Sequence, residues 1–172
     1  MITQERLKEY FEYEEDGRLR RIKSTREDGR GRGQVGAYTT CKNANGYLII
    51  MIDKRLYLVH RLVYLYHFGE FPKMLDHINM DKLDNRIANL REASKSQNAQ
   101  NTKKRKTNTS GTKGVYYDST WKTWRARIIA DSKVVAYKSF KGSREDETVK
   151  QEAINWITTA RQQHHGEFAN NG

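Results

Sequence analysis

The segment Leu75-Asp76-His77-Ile78-Asn79-Met80-Asp81, followed by Asp84-Asn85-Arg86-Ile87-Ala88-Asn89-Leu90 and by Ser96-Gln97-Asn98, breaks the apolar periodicity of the residues before it. Residues 74–89 are polar and rich in Asp and Asn, with just enough apolar side chains to pin a tight loop. The segment enters as extended chain, so the adjacent Asp76 and His77 point to opposite faces. One can hold a metal while the other reaches a water on a different side. A helix follows, starting near Asn89-Leu90 or at Ser94, and Asn98 comes from that later helix.

Working outward toward the amino end, residues 47–52 are apolar and β-branched, Asp53-Lys54 forms a turn, and residues 55–59 make a second strand. His60 sits where a helix begins, with the stripe Leu62, Val63 and Tyr66 behind it, and Pro72 ends that helical region. Leu7, Tyr10 and Phe11 give residues 5–13 the spacing of a short amphipathic helix; residues 17–23 alternate basic with apolar, and residues 26–33 form a Gly- and Arg-rich loop. Toward the carboxyl end, residues 101–111 are a basic run without periodicity, as in a linker. Strand-like runs at 113–117, 124–129 and 133–140 follow, with turns at Asp118-Ser119 and Asp131-Ser132. From about Arg144 onward, Val149, Ala153, Trp156, Ile157 and Ala160 keep helical spacing, so one amphipathic helix covers a three-stranded sheet.

The chain has 172 residues, which allows two small cores at most. Lys and Arg total 32 against 21 Asp and Glu, a formal charge of +11 that favours a polyanionic partner. No apolar run approaches bilayer length and the amino terminus lacks a signal-peptide core, so the expected setting is soluble and cytoplasmic, without a membrane partner. The single cysteine, Cys41, excludes an internal disulfide and a Cys-rich zinc knot, and is expected as a partly buried small hydrophobe. His60 is expected packed or hydrogen-bonded, and His67, His164 and His165 at the surface or at helix ends.

Phosphodiester hydrolysis needs a deprotonated water in line with the leaving oxygen, and positive charge to offset that developing on the leaving group. A neutral imidazole supplies the first. A hard divalent cation held by carboxylate and amide oxygens supplies the second, and two protein oxygens leave room around Mg²⁺ for phosphate and water.

Together with Val59-His60-Arg61-Leu62-Val63 ahead of it, this pattern resembles the HNH, or ββα-metal, endonucleases over roughly residues 46–101. The likeness is to the phage and homing-endonuclease branch in which the last His is replaced by Asn. The resemblance implies that Asp76 and Asn98 bind the metal, that His77 is the general base, and that Asn89 ties the loop to the helix and orients His77. It implies Mg²⁺, with Mn²⁺ substituting and no zinc. Arg61 is a candidate phosphate contact.

Residues 110–169 resemble an Apetala-type, ethylene-response-like DNA-binding domain. The residues that carry this are Ser110-Gly111-Thr112-Lys113-Gly114-Val115-Tyr116-Tyr117, Trp121, Trp124-Arg125-Ala126-Arg127-Ile128, Ser139-Phe140 and His165-Gly166-Glu167-Phe168-Ala169. On the second strand Trp124, Ala126 and Ile128 share one face, toward the helix, while Arg125 and Arg127 share the other, toward DNA. Tyr116, Trp121 and Lys113 belong to the same expected contact set. Val134 and Ala136 stand where that family often carries Arg and Trp, which implies less direct base readout. Lys103, Lys104, Arg105 and Lys106 would track phosphates between the two parts, as would Arg18, Arg20, Arg21, Arg30 and Arg32 near the amino end.

The expected fold is α+β: a ββα-metal nuclease core with amino-terminal strands, plus a three-stranded antiparallel sheet packed on one helix. The expected domains are a nuclease domain at 1–101, a basic linker at 102–110 and a DNA-binding domain at 111–172. The expected activity is site-specific, metal-dependent cleavage of double-stranded DNA, with a nicking, homing-type enzyme as the finer expectation. A single active-site motif implies a monomer that cuts one strand per binding event, and a phage-encoded protein would act in the bacterial host cytoplasm. The alternative is a non-catalytic, sequence-specific DNA-binding regulator on a degenerate HNH scaffold.

Overall fold

Thr3 starts the first helix by accepting the Arg6 N–H on its side-chain oxygen, and α1 (Gln4–Tyr10) buries Leu7 and Tyr10. The helix stops sooner than the stripe through residue 13 suggested. Phe11 is extended at φ −138° and ψ 143° and opens β1 (Phe11–Tyr13), which pairs antiparallel with β2 (Leu19–Arg21). Helix and strand both aim their apolar residues at one core, so the spacing alone did not mark the switch between them. The structure is a computed structural model that describes residues 1–24 and 34–171; Arg30 and Arg32, expected to track phosphates, lie outside the described residues, as does the whole Gly- and Arg-rich loop at 26–33.

The chain divides into two compact units, Met1–Ala93 and Ser94–Gly172. In the first, β3 (Ile49–Ile52) and β4 (Arg55–Leu58) form an antiparallel hairpin across Asp53 and Lys54, both at positive φ of 48° and 62°, as the turn expected there requires. The chain passes directly into α2 (Val59–Phe68), which buries Val59, His60, Leu62, Val63 and Leu65. Gly69, at φ 80°, caps this helix, whereas the sequence pointed to Pro72 as the stop. A left-handed residue donating its N–H back to the Leu65 carbonyl ends a helix more abruptly than a proline three residues on. Leu7, Phe11, Leu19, Ile52, Leu62 and Val63 centre the core of this unit. Next, β5 (Leu75–His77) pairs antiparallel with β6 (Leu90–Glu92), joined by the polar loop and a 3-10 turn (Ile87–Asn89).

The second unit begins with α3 (Lys95–Gln100), capped by a reciprocal pair of bonds between Ser94 and Gln97. Ser94, one of two starts the sequence offered, is therefore the helix start; the other, near Asn89, became the 3-10 turn and β6. Three antiparallel strands follow in the order β7 (Val115–Asp118), β8 (Thr123–Ala130) and β9 (Lys133–Lys141), covered by α4 (Glu147–His165). The core of this unit is Val115, Trp124, Ala126, Ile128, Ala153, Ile157 and Ala160. Both units mix helices with small antiparallel sheets, an α+β fold. Among the described residues no helix is long and apolar enough to cross a membrane. Cys41 is exposed, not partly buried, on a segment held mainly by backbone bonds.

Candidate active site

His77 and Asp76 are neighbours on a strand only three residues long, and both are about 5% exposed. Pairing with β6 sets Asp76 across from Arg91 and His77 across from Leu90. Alternation along the strand then separates the two side chains. Asp76 Oδ2 accepts bonds from Arg91 Nε at 3.0 Å and Nη2 at 2.9 Å. The His77 ring meets His60 edge-on, with centroids 5.0 Å apart, and lies 6.0 Å from Tyr47. His77 Nε2 stands 3.0 Å from Asn85 Oδ1, a fully buried contact.

Asn89 ties the loop together. Its Oδ1 accepts the Asn79 N–H at 3.0 Å, and its Nδ2 donates to Asn79 Oδ1 at 3.0 Å and to the Asp84 carbonyl at 2.8 Å. Its own carbonyl accepts the Ile78 N–H. These bonds fix residues 78–84, whereas the side chain at His77 Nε2 is that of Asn85. Sequence reasoning missed Asn85; the signal was a second Asn four residues before Asn89, in a loop with no apolar reason to be buried.

His60 is buried beside His77. Desolvation, with a smaller contribution from His77 and Arg61, lowers its pKa to about 3, so it stays neutral at ordinary pH. Arg61 turns away to the following loop, donating to the Pro72 carbonyl at 2.7 Å. Asp84, gripped by Arg86 through Nε and Nη2, has its carboxyl pulled down to about 2.

Among the described residues no group of three or more His, Cys, Asp or Glu is placed to hold a metal ion. The donor types nonetheless suit Mg²⁺, which takes one or two hard protein oxygens and leaves its remaining positions to water and phosphate. Asp76 is such an oxygen donor, and Arg91 competes for its Oδ2. Asn98, the other expected ligand, is half-buried on α3 in the second unit.

In the second unit the face alternation of β8 is plain: Trp124, Ala126 and Ile128 are buried while Arg127 and Ile129 are exposed. Tyr116 pairs across from Arg125, and the Arg127 guanidinium lies 5.4 Å over the Tyr116 ring. Arg125 is half-buried and ion-paired with Asp118 at 3.0 Å. Trp121, at 70% exposure, is no core residue. Lys113 donates its ammonium to the Gln100 and Thr102 carbonyls at 2.7 and 2.6 Å, and burial beside Arg161 lowers its pKa to about 8. Lys103, Lys104, Arg105 and Lys106 are exposed, with Lys104 reaching the Gly111 carbonyl at 3.0 Å. Near the amino end, Arg18 pairs with Asp16, Arg20 with Glu12 and Glu14, and Arg21 is buried over Phe11. Local carboxylates and burial hold these three within the hairpin. His165 is the last residue of α4, one of the two placements expected for it, and its two ring nitrogens are buried.

A strand carrying Asp-His, an Asn-tied loop and a returning strand define the class: residues 57–100 form an HNH endonuclease domain, matched by the family model described as HNH endonuclease. The chain is 34% identical over 103 residues to Protein 3.8 of Escherichia phage T7, an overlap spanning 59% of this chain and 78% of that one. The chain belongs to the same family as that phage protein. No solved structure matches the chain.

Proposed function

We propose that the protein is a metal-dependent DNA endonuclease, homing-type and nicking one strand per binding event, with His77 as general base. The observation that supports this best is the β5 arrangement: a carboxylate and an imidazole on adjacent residues, separated by strand alternation, beside a loop locked by Asn89. His77 takes the proton of the attacking water at Nδ1, the ring nitrogen across from the one that meets Asn85. Asp76 contributes a hard oxygen ligand, and Asn98 keeps the second-ligand role that the resemblance implies. When bound, the divalent ion, Mg²⁺ or Mn²⁺, offsets charge on the scissile phosphate and the leaving oxygen. Arg127, Tyr116, Trp121 and, after release from Asp118, Arg125 would grip double-stranded DNA from the open sheet face, in the manner of an Apetala-type domain. Lys103, Lys104, Arg105 and Lys106 add phosphate contacts, while Arg61 and Lys113 serve chiefly as internal ties.

A second reading has one specific observation in its favour. The Arg91 guanidinium already neutralises Asp76, as it would in a non-catalytic, DNA-binding scaffold. Supercoiled plasmid carrying candidate sites separates the two. Relaxed circles should form with Mg²⁺, not with chelator, and disappear in His77→Ala while DNA affinity is retained. Equal cutting by His77→Ala would remove the general-base role, and binding without cutting in either metal would favour the regulator.

A further inference from the structure

Asn85 is among the most deeply buried polar residues described, at 1% exposure, and among the described residues its one side-chain hydrogen-bond contact is between Oδ1 and His77 Nε2, 3.0 Å apart. Its amide nitrogen is buried with no partner among the described residues. Leaving a buried N–H₂ unsatisfied is destabilising, and an apolar side chain of the same shape would avoid that cost. As a packing residue, then, Asn85 is a poor choice for its site. The imidazole contact is the one thing it does that leucine could not.

The segment carrying Asn85 is braced from behind by the β1–β2 hairpin. Gly17, at φ +87° in the hairpin turn, lies so close to the Asn85–Arg86 peptide that a Cβ there would overlap Arg86 N and Asn85 C. Tyr13 Oη accepts the Ile87 N–H at 3.1 Å. The Tyr13 ring is itself seated edge-on against His67 of α2, with centroids 4.5 Å apart. The hairpin therefore reaches the segment at two points, residues 85–86 and residue 87, and is anchored on the helix that carries His60.

We propose that Asn85 is the positioning residue for His77, accepting the Nε2–H so that the neutral ring carries its lone pair on Nδ1, and that the β1–β2 hairpin is the brace that keeps Asn85 in register. The catalytic meaning of this rests on the general-base reading of His77; the tautomer itself does not. Amide oxygen accepts and cannot donate, so an Asn85 oxygen facing Nε2 selects one neutral tautomer. Placing the lone pair on the wrong nitrogen disables a general base whose ring is otherwise correctly placed.

The test uses the full chain, labelled with ¹⁵N-histidine and free of metal, in long-range ¹H–¹⁵N spectra that report the tautomer of each ring. His77 in the parent is expected as Nε2–H. Asn85→Leu should shift it toward a mixture or to Nδ1–H, with a melting temperature close to that of the parent. Asn85→Asp, which keeps the acceptor, should retain Nε2–H. In Mg²⁺-supported nicking, Asn85→Leu should lower kcat by about 10–100-fold with KM nearly unchanged, as outer-sphere partners of active-site histidines do. Gly17→Ala, or Tyr13→Phe should the alanine variant fail to fold, should move the tautomer and kcat in the same direction as Asn85→Leu. A parent ring in the Nδ1–H form, or Asn85→Leu with both tautomer and kcat unchanged, would overturn the assignment of Asn85. Hairpin variants with parental spectra would overturn the brace. Fixed tautomers in a parent that cuts no DNA would sink the nuclease reading alone.

Discussion

Asn89→Ala should loosen the loop of the candidate site and lower the stability of the first unit by about 2–3 kcal/mol. The figure is built from the bonds lost: Asn89 Oδ1 with the Asn79 N–H at 3.0 Å, and Nδ2 with Asn79 Oδ1 at 3.0 Å and the Asp84 carbonyl at 2.8 Å. Each is worth about 0.5–1.5 kcal/mol net. Asn79 is exposed, so water takes over part of its share, while Asn89 itself is buried and leaves a small void. For a unit of this size the change lowers the melting temperature by roughly 10–20 °C. Hydrogen exchange followed by mass spectrometry gives the local reading: the amides of residues 78–85 should exchange much faster, since the Asn79 N–H loses its acceptor and the loop loses its tie to β6. A variant that melts within about 0.5 kcal/mol of the parent, a typical surface-substitution effect, with unchanged exchange across the loop, would refute the structural role given to Asn89.

His60 makes stability depend on acid. Its folded pKa of about 3 lies below the ordinary 6.5, so the unfolded chain takes up the proton first. Its contribution is complete above pH 6.5 and declines as pH falls toward 3, by up to about 1.4 kcal/mol per pH unit. Urea titrations between pH 7 and 4 should show a shallower decline for His60→Phe than for the parent, and identical slopes would count against the burial argument. For DNA, Arg127→Ala should weaken binding and reduce the salt dependence by about one counterion. Arg125→Ala should do less, because Asp118 already holds that guanidinium; fluorescence anisotropy over a salt series would show the reverse order if the sheet face were misassigned. Trp121→Ala should change folding stability by less than about 0.5 kcal/mol, as expected for so exposed a side chain, while lowering DNA affinity. A large loss of stability on urea melting would instead mark Trp121 as a core residue.

Much of the fold was legible because local chemistry and tertiary contacts agree along most of the chain. The Asp53-Lys54 and Asp131-Ser132 turns, the alternation of β8 and the α4 residues Ala153, Ile157 and Ala160 all appear where spacing placed them. The misreadings cluster where two elements share one core face. Phe11 belongs to the α1 stripe by spacing and to β1 by pairing, and only the partner strand decides between them. Gly69 rather than Pro72 ends α2 because the left-handed cap acts before the proline is reached. In the candidate site, Asp76, His77 and Asn89 were visible as a motif. Asn85 stood in the same motif without a role, and its contact with the imidazole was not legible, because its spacing from Asn89 marks it as a candidate but does not say that it is buried. Arg18, Arg20 and Arg21 looked like phosphate contacts until their carboxylate and aromatic partners were seen.

Residue order alone determined the basic character of this protein, its α+β elements, and the adjacency of Asp76 and His77 on extended chain, since charge and strand alternation are properties of neighbours along the backbone. Only the tertiary structure decided which cations are already spent and which residue faces the imidazole. Arg91 reaches Asp76 across fifteen residues, and Asn85 reaches His77 across eight. Such partners are set by strand register and loop packing, which depend on the whole core and leave no period in the sequence to read.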